Sequence, residues 1–182
     1  MKINNLRITT LASLVLVAAL TRLLPHPFNF TPIGAIALFG GAYFSKRYLA
    51  FLVPLAAMLL SDALLGFHSS MWAVYLSFVL IVGIGMGALQ KVTVGRVFGS
   101  ALLSSVLFFL ITNFAVWFGS SSFYPQTLAG LGACYLAGLQ FYQQDFFGNL
   151  FFNTVMGDLF FSGLLFGSFE LLKSRVPSLR LA

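Results

Sequence analysis

Negative charge is the scarcest property of this chain. Only four of its 182 residues are acidic, and Asp, Glu, Lys and Arg together make up 8%. A water-soluble domain of this length needs far more polar surface, so that class is excluded. A single cysteine, Cys134, leaves no internal disulfide and no multi-cysteine metal site. No P-loop, His-Glu-x-x-His or nucleophile elbow occurs, so no nucleotide-binding or catalytic motif is offered. Regularly alternating strands of about ten residues are missing as well, which argues against a β-barrel.

What is present is apolar sequence. Hydrophobic residues are 59% of the chain, with 22 Phe and 17 Gly. Glycine is better tolerated in membrane helices than in soluble ones, so the composition reads as an integral membrane protein. One all-α domain over 1–182 is the economical reading. Taking about 20 residues to cross the hydrocarbon, apolar runs predict six transmembrane helices in one bundle, near 8–24, 33–44, 48–66, 71–89, 97–119 and 148–172. A cleaved signal peptide at the start is disfavoured. The apolar run reaches Leu24, and no clear small-x-small site precedes a polar mature start.

The net charge of +6 does not point to nucleic acid, because no basic stripe is interleaved with aromatics. The cations stand instead at the ends of apolar runs. Lys2 and Arg7 precede the first span, Lys46 and Arg47 follow the second, and Lys91 and Arg96 follow the fourth. Lys173, Arg175 and Arg180 follow the sixth. With six spans they all fall on one side, and the positive-inside rule makes that side, with both termini, cytoplasmic. Arg22 alone is left over. The setting this predicts is a multi-pass protein of a bacterial cytoplasmic (inner) membrane.

The polar residues that are costly in lipid gather towards the other side. Arg22 and His26 close the first span, and Asp62 and His68 close the third. "PHPFNFTP" (25–32) links the first two spans there. Asn113 and Trp117 are four apart on one face of the fifth span, an amide one turn from an indole. Asp145, Asn149, Asn153 and Asp158 run into the sixth, with Thr154 above Asp158 on one face. Intramembrane ionisable groups usually face a bundle interior or a wet cavity, so these residues are candidate wall groups for a small, partly aromatic solute. The candidate contacts read from this placement are Asn113, Trp117, Tyr124, Asn149, Asn153 and Asp158. Arg22 with Asp62 is read as a structural ion pair. Glu170 with Lys173 reads as a helix pair.

Blander roles compete for several of these. Asn113 and Asn153 can be interhelical glue, Trp117 and Tyr124 interfacial belt aromatics, and the two histidines solvated turn residues. Cys134 reads as a small apolar packing residue. Gly83 and Gly87 form a GxxxG, with Gly85 on another face, and Ala37 and Gly41 form a small-xxx-small pair. Both patterns predict close helix packing within the bundle.

The stretches "NFTPIGAIALFGGAYF", "LITNFAVW" and "NLFFNTVMGDLFF", with an Asp before "LLGF", resemble an uncharacterised bacterial six-span family. That family in turn resembles the substrate-binding S components of energy-coupling-factor (ECF) vitamin transporters. The resemblance implies a lid made of His26, Phe28, Asn29 and Phe30, and a wall of Asn113, Trp117, Asn149, Asn153 and Asp158. It also implies delivery inward through a separate T component and two ATPases. S components commonly dock on that module through alanine-x-x-x-alanine in the first span. Here "LASLVLVAAL" puts Leu16 four after Ala12, so the pattern is absent. The expectation is a membrane protein that binds a vitamin- or cofactor-like solute and mediates its uptake, holding no cofactor or metal of its own. Two alternatives stand beside it. One is a structural or assembly subunit; the other is an intramembrane metal enzyme built on His26, His68, Asp62 and Asp158.

Overall fold

A computed structural model describes residues 5–67, 69–119, 123–140 and 149–180. Seven α-helices follow one another: α1 (Asn5–Leu20), α2 (Ile33–Tyr43), α3 (Arg47–Leu65), α4 (Met71–Ala88), α5 (Val94–Gly119), α6 (Leu128–Gln140) and α7 (Leu150–Arg175). Short 3-10 turns, Thr21–Leu23 and Pro177–Leu179, extend α1 and follow α7. No strand occurs among the described residues. Among the described residues, five helices are long and apolar enough to cross a membrane: α1 with its 3-10 turn, α3, α4, α5 and α7. Their outward faces carry large apolar side chains such as Val17, Leu52, Leu60, Leu103 and Leu164, as a lipid-facing surface must. This is a multi-pass helical membrane protein.

The run expected to cross at 33–44 forms only the 11-residue α2. At 1.5 Å per residue it is about 16 Å long, roughly half the hydrocarbon thickness. Pro32 sets its start, and Phe44 leaves the helix in an extended conformation just before Ser45 and Lys46. Every residue from Ile33 to Gly41 is buried, so no face of α2 meets lipid. It is the axle of the bundle and packs against α1, α3, α4, α5 and α7.

Small residues make that centrality possible. A Cβ on Gly41 would stand 2.3 Å from the Val82 carbonyl oxygen, and one on Gly85 2.5 Å from the Leu38 oxygen. On a neighbouring face, a Cβ on Gly40 would meet Pro54 Cγ at 2.4 Å. The close approach therefore uses Gly41 of the expected small pair, but Gly85 rather than the Gly83/Gly87 pair. The reason is helical phase. Phe78, Ile81, Val82, Gly85 and Leu89 recur at three- and four-residue steps and turn inward. Gly83 and Gly87 fall on the exposed side, with nothing within 4 Å of an added Cβ.

The ends of the helices sort into two groups. The start of α1 meets the end of α2, where Arg7 donates to the Tyr43 carbonyl, and the ends of α4 and α7 join them. Lys46, Arg47, Lys91, Arg96, Lys173, Arg175 and Arg180 all belong to this basic end by their place at these termini. Arg22 lies at the other end, with Asn29, Asp62, Asn113 and Leu150. The α6 helix stays at that end. It begins beside Trp117, whose indole donates to the Pro125 carbonyl at 2.9 Å, and Gly138 reaches Asn113 and Phe109.

Candidate functional site

Between the ends of α3, α4, α5 and α6, the start of α7 and the 25–32 segment lies a cavity of about 360 Å³. Its two ionisable walls are Arg22 and Asp62. Arg22, on the 3-10 turn that ends α1, places Nη1 2.6 Å from Asp62 Oδ1 and also donates to Ser61 Oγ. Tyr75 donates to the other carboxylate oxygen at 2.8 Å. Both oxygens of Asp62 are thus occupied and the pair carries no net charge. Asp62 can hold this place because α3 ends just beyond it, where Gly66 adopts φ 96° and returns its N–H to the Asp62 carbonyl.

The rest of the described lining is uncharged. Thr112 and Asn113 come from α5, Thr154 from α7, Ser70 from the start of α4, and Asn29 and Thr31 from the connecting segment. Phe108, Phe109 and Phe151 supply ring surface. The Thr112 and Thr154 hydroxyls donate to carbonyls one turn back, at 2.7 and 3.0 Å, which leaves their oxygens able to accept. Asn113 Nδ2 donates to the Phe109 carbonyl at 2.9 Å, and a Cβ on Gly138 would stand 2.4 Å from Asn113 Oδ1. The arrangement suits an uncharged or zwitterionic molecule with an apolar face. The volume lies at the small end of the range typical for ligand pockets.

The "PHPFNFTP" segment covers one side of this cavity and is tied down at its second half. Asn29 takes φ 62°, Phe30 N–H bonds the Pro27 carbonyl at 3.0 Å, and Thr31 N–H bonds that of Asn29 at 3.0 Å. An asparagine tolerates this left-handed backbone better than most residues. Asn153 Nδ2 donates to the Phe28 carbonyl at 2.7 Å, and the Phe30 ring packs 5.7 Å from both Phe160 and Phe161. Gly157 lets the two chains touch, since a Cβ there would meet Thr31 N at 2.9 Å. The first half is looser. His26 is exposed, with Nδ1 2.6 Å from the Leu24 carbonyl oxygen, and the Phe28 ring is 65% exposed.

Five of the residues singled out in the sequence meet at the cavity: Arg22, Asn29, Asp62, Asn113 and Thr154. The other candidates serve the chain. Asp158 is buried beside α2, where its carboxylate accepts from Ser105 Oγ at 2.7 Å and from the N–H groups of Gly34 and Ala35 in the first turn of that helix. Asn149 caps α7, accepting from Phe152 N–H at 3.1 Å and donating to the Leu139 carbonyl. Trp117 closes the α5–α6 turn together with Gln126, whose amide donates to the Trp117 carbonyl at 2.8 Å. Tyr124 is half-buried in that turn and does not line the cavity. Asn153 and Phe30 bind the connecting segment as described. Cys134 is buried, with Sγ 3.4 Å from the Asn113 carbonyl oxygen. His68 and Asp145 lie outside the described residues.

Sequence reasoning missed Thr31, Ser70, Phe108, Phe109, Thr112, Gly138 and Phe151 as wall residues. Thr112 was within reach, since it adjoins Asn113 and lies one turn from Phe108. The phenylalanines carried no signal among so many. Among the described residues no three of His, Cys, Asp and Glu come together in a way that could hold a metal ion.

Fold and site together define a multi-pass helical membrane protein with a charge-balanced, partly aromatic cavity at one end. The chain belongs to a family of unknown function, DUF6580, whose model matches residues 2–179. Neither the curated proteins nor the solved structures contain a match to it.

Proposed function

We propose that this protein binds a small uncharged or zwitterionic solute, vitamin- or cofactor-like in size, in the cavity beside Arg22, Asp62 and Asn113, and mediates its uptake. On this reading α2 completes a sixth crossing despite its length, because the chain enters it at the cavity end and leaves it at the basic end. The positive-inside rule then puts the basic end and both termini in the cytoplasm of a bacterial cell, and the cavity outside. The arrangement is S-component-like, with residues 25–32 as the cover. Inward delivery by a T component and ATPases is the corresponding partner set, reached by a route other than the missing alanine pattern.

The observation that carries the reading is the cavity itself. Rings, hydroxyls and amides line it, and the two charges among its described residues cancel. A purely structural bundle gains nothing by keeping such a hollow open between helix ends. The test is mass spectrometry of small molecules retained after gentle purification, paired with thermal shift across a vitamin and cofactor library. A solute that is retained by the native protein and lost in Asn113→Leu and Thr112→Val supports the reading. No retained solute, together with no thermal shift from any compound, sinks it.

A second reading, an assembly subunit of a membrane complex, has one observation in its favour. Gly83 and Gly87 stand open on the outer face of α4, at the spacing by which helices dock. Gly83→Leu would disrupt such a complex and leave solute binding untouched.

A further inference from the structure

A second cavity, of about 330 Å³, lies at the basic end of the bundle. Four helix termini build it: the start of α1, the ends of α2 and α4, and the end of α7 with the turn that follows. Among the described residues its charged walls are Arg7, Lys173 and Arg180 against one carboxylate, Glu170. Three cations and one anion leave the described lining at +2.

Each cation is held in place by the groups around it. Arg7 is buried, donates to the carbonyls of Leu179 and Tyr43, and lies 5.1 Å over the Phe169 ring. Arg180 donates to the carbonyls of Lys173 and Ser174 at 3.2 and 3.1 Å. Glu170 Oε1 receives both Lys173 Nζ and Tyr43 Oη at 2.6 Å, so the one carboxylate is spent on its own neighbours. The carbonyls that hold Arg180 orient its guanidinium without neutralising it. The result is positive charge fixed in advance around a hollow, which is the electrostatic requirement of an anion site.

The remaining walls narrow the ligand. Ala42, Leu89 and Val92 are apolar, and exposed leucines, Leu6 and Leu171, stand on the two helices that carry Arg7 and Lys173. Basic pockets between transmembrane helices on the cytoplasmic side hold anionic lipid head groups. From this we infer that the basic-end cavity binds a phosphate ester, with the phosphoryl oxygens received by Lys173, Arg180 and Arg7. The phosphate comes either from an anionic phospholipid, its acyl chains lying along the exposed leucines, or from a water-soluble phosphate. The site is independent of the solute proposed for the other cavity.

The full chain in detergent is titrated with three probes: phosphatidylglycerol in mixed micelles, phosphatidylcholine in the same micelles, and glycerol phosphate alone. Binding is read by thermal shift and by native mass spectrometry of the unmutated protein. Phosphatidylglycerol retained and stabilising where phosphatidylcholine is not identifies the lipid source. Glycerol phosphate stabilising where phosphatidylglycerol is not identifies the soluble one. In either case Arg180→Gln weakens binding about tenfold, the loss of one charge-assisted contact. Arg47→Gln, which removes the same charge at the same end but outside the cavity, leaves binding unchanged. The inference is overturned by no preference for either phosphate, or by Arg47→Gln weakening binding as much as Arg180→Gln. Native mass spectrometry of the unmutated chain decides the matter even where Arg180→Gln does not fold.

Discussion

Gly41 of α2 and Gly85 of α4 meet backbone to backbone, with a Cβ built on Gly41 only 3.0 Å from the Gly85 Cα. Because the neighbouring atoms are main chain, they cannot swing away as a flexible side chain would. Gly85→Ala is therefore expected to force α4 off α2 and cost about 1–3 kcal/mol, as overpacking does. Gly83→Ala, two residues away on the exposed face, is expected to cost nothing. Thermal unfolding of both variants in one detergent checks the contrast.

The Arg22–Asp62 pair gives a second expectation. Its side chains are 11% and 8% exposed, and removal of one partner strands the other charge in the cavity wall. Arg22→Gln or Asp62→Asn alone is expected to destabilise by about 3 kcal/mol. The double variant should recover most of that loss, because neither charge remains to be solvated. A double-mutant cycle on unfolding temperature measures the coupling. Additive losses would show that each residue acts alone.

Loosening the cover should be visible by labelling. Cys134 is buried, so a single introduced cysteine reports without interference. With Phe28→Cys as the probe, Asn153→Ala removes the donor to the Phe28 carbonyl and Gly157→Ala pushes on Thr31. Both are expected to speed maleimide reaction at position 28 several-fold over the otherwise native chain. Unchanged rates would mean that the Phe30 packing alone holds the segment.

Orientation can be tested with the same chemistry in whole cells. Gln126→Cys, exposed in the α5–α6 turn, is expected to react with a membrane-impermeant maleimide. Ser45→Cys, exposed between α2 and α3, is expected to react only after the cells are opened. The reverse pattern would turn the protein over and place the solute cavity in the cytoplasm.

The long helices were legible because lipid leaves little choice: a run of apolar residues bounded by charge must be helical. The expected 48–66 and 71–89 became Arg47–Leu65 and Met71–Ala88, and 97–119 became Val94–Gly119. The site was legible only in part. Sequence shows which side chains avoid lipid, but not what already satisfies them. Asn149 and Trp117 donate to backbone carbonyls 10 and 8 residues away, at the end of α6 and in the turn before it. Asp158 spends its own on the first turn of α2, more than 120 positions earlier, and no local pattern announces that pairing. Nor could spacing alone tell Gly85 from the more conspicuous Gly83 and Gly87. That choice depends on which face α4 presents to α2.

The shortness of α2 has an electrical consequence. The two cavities stand at its opposite ends, Ile33 bordering one and Tyr43 the other, with about 16 Å of helix between them. On the proposed six-crossing topology, with water in both hollows, a voltage across the bilayer falls mainly over that septum instead of about 30 Å of hydrocarbon. The local field is then roughly doubled. Asp158, fastened to the first turn of α2, sits where that gradient is steep.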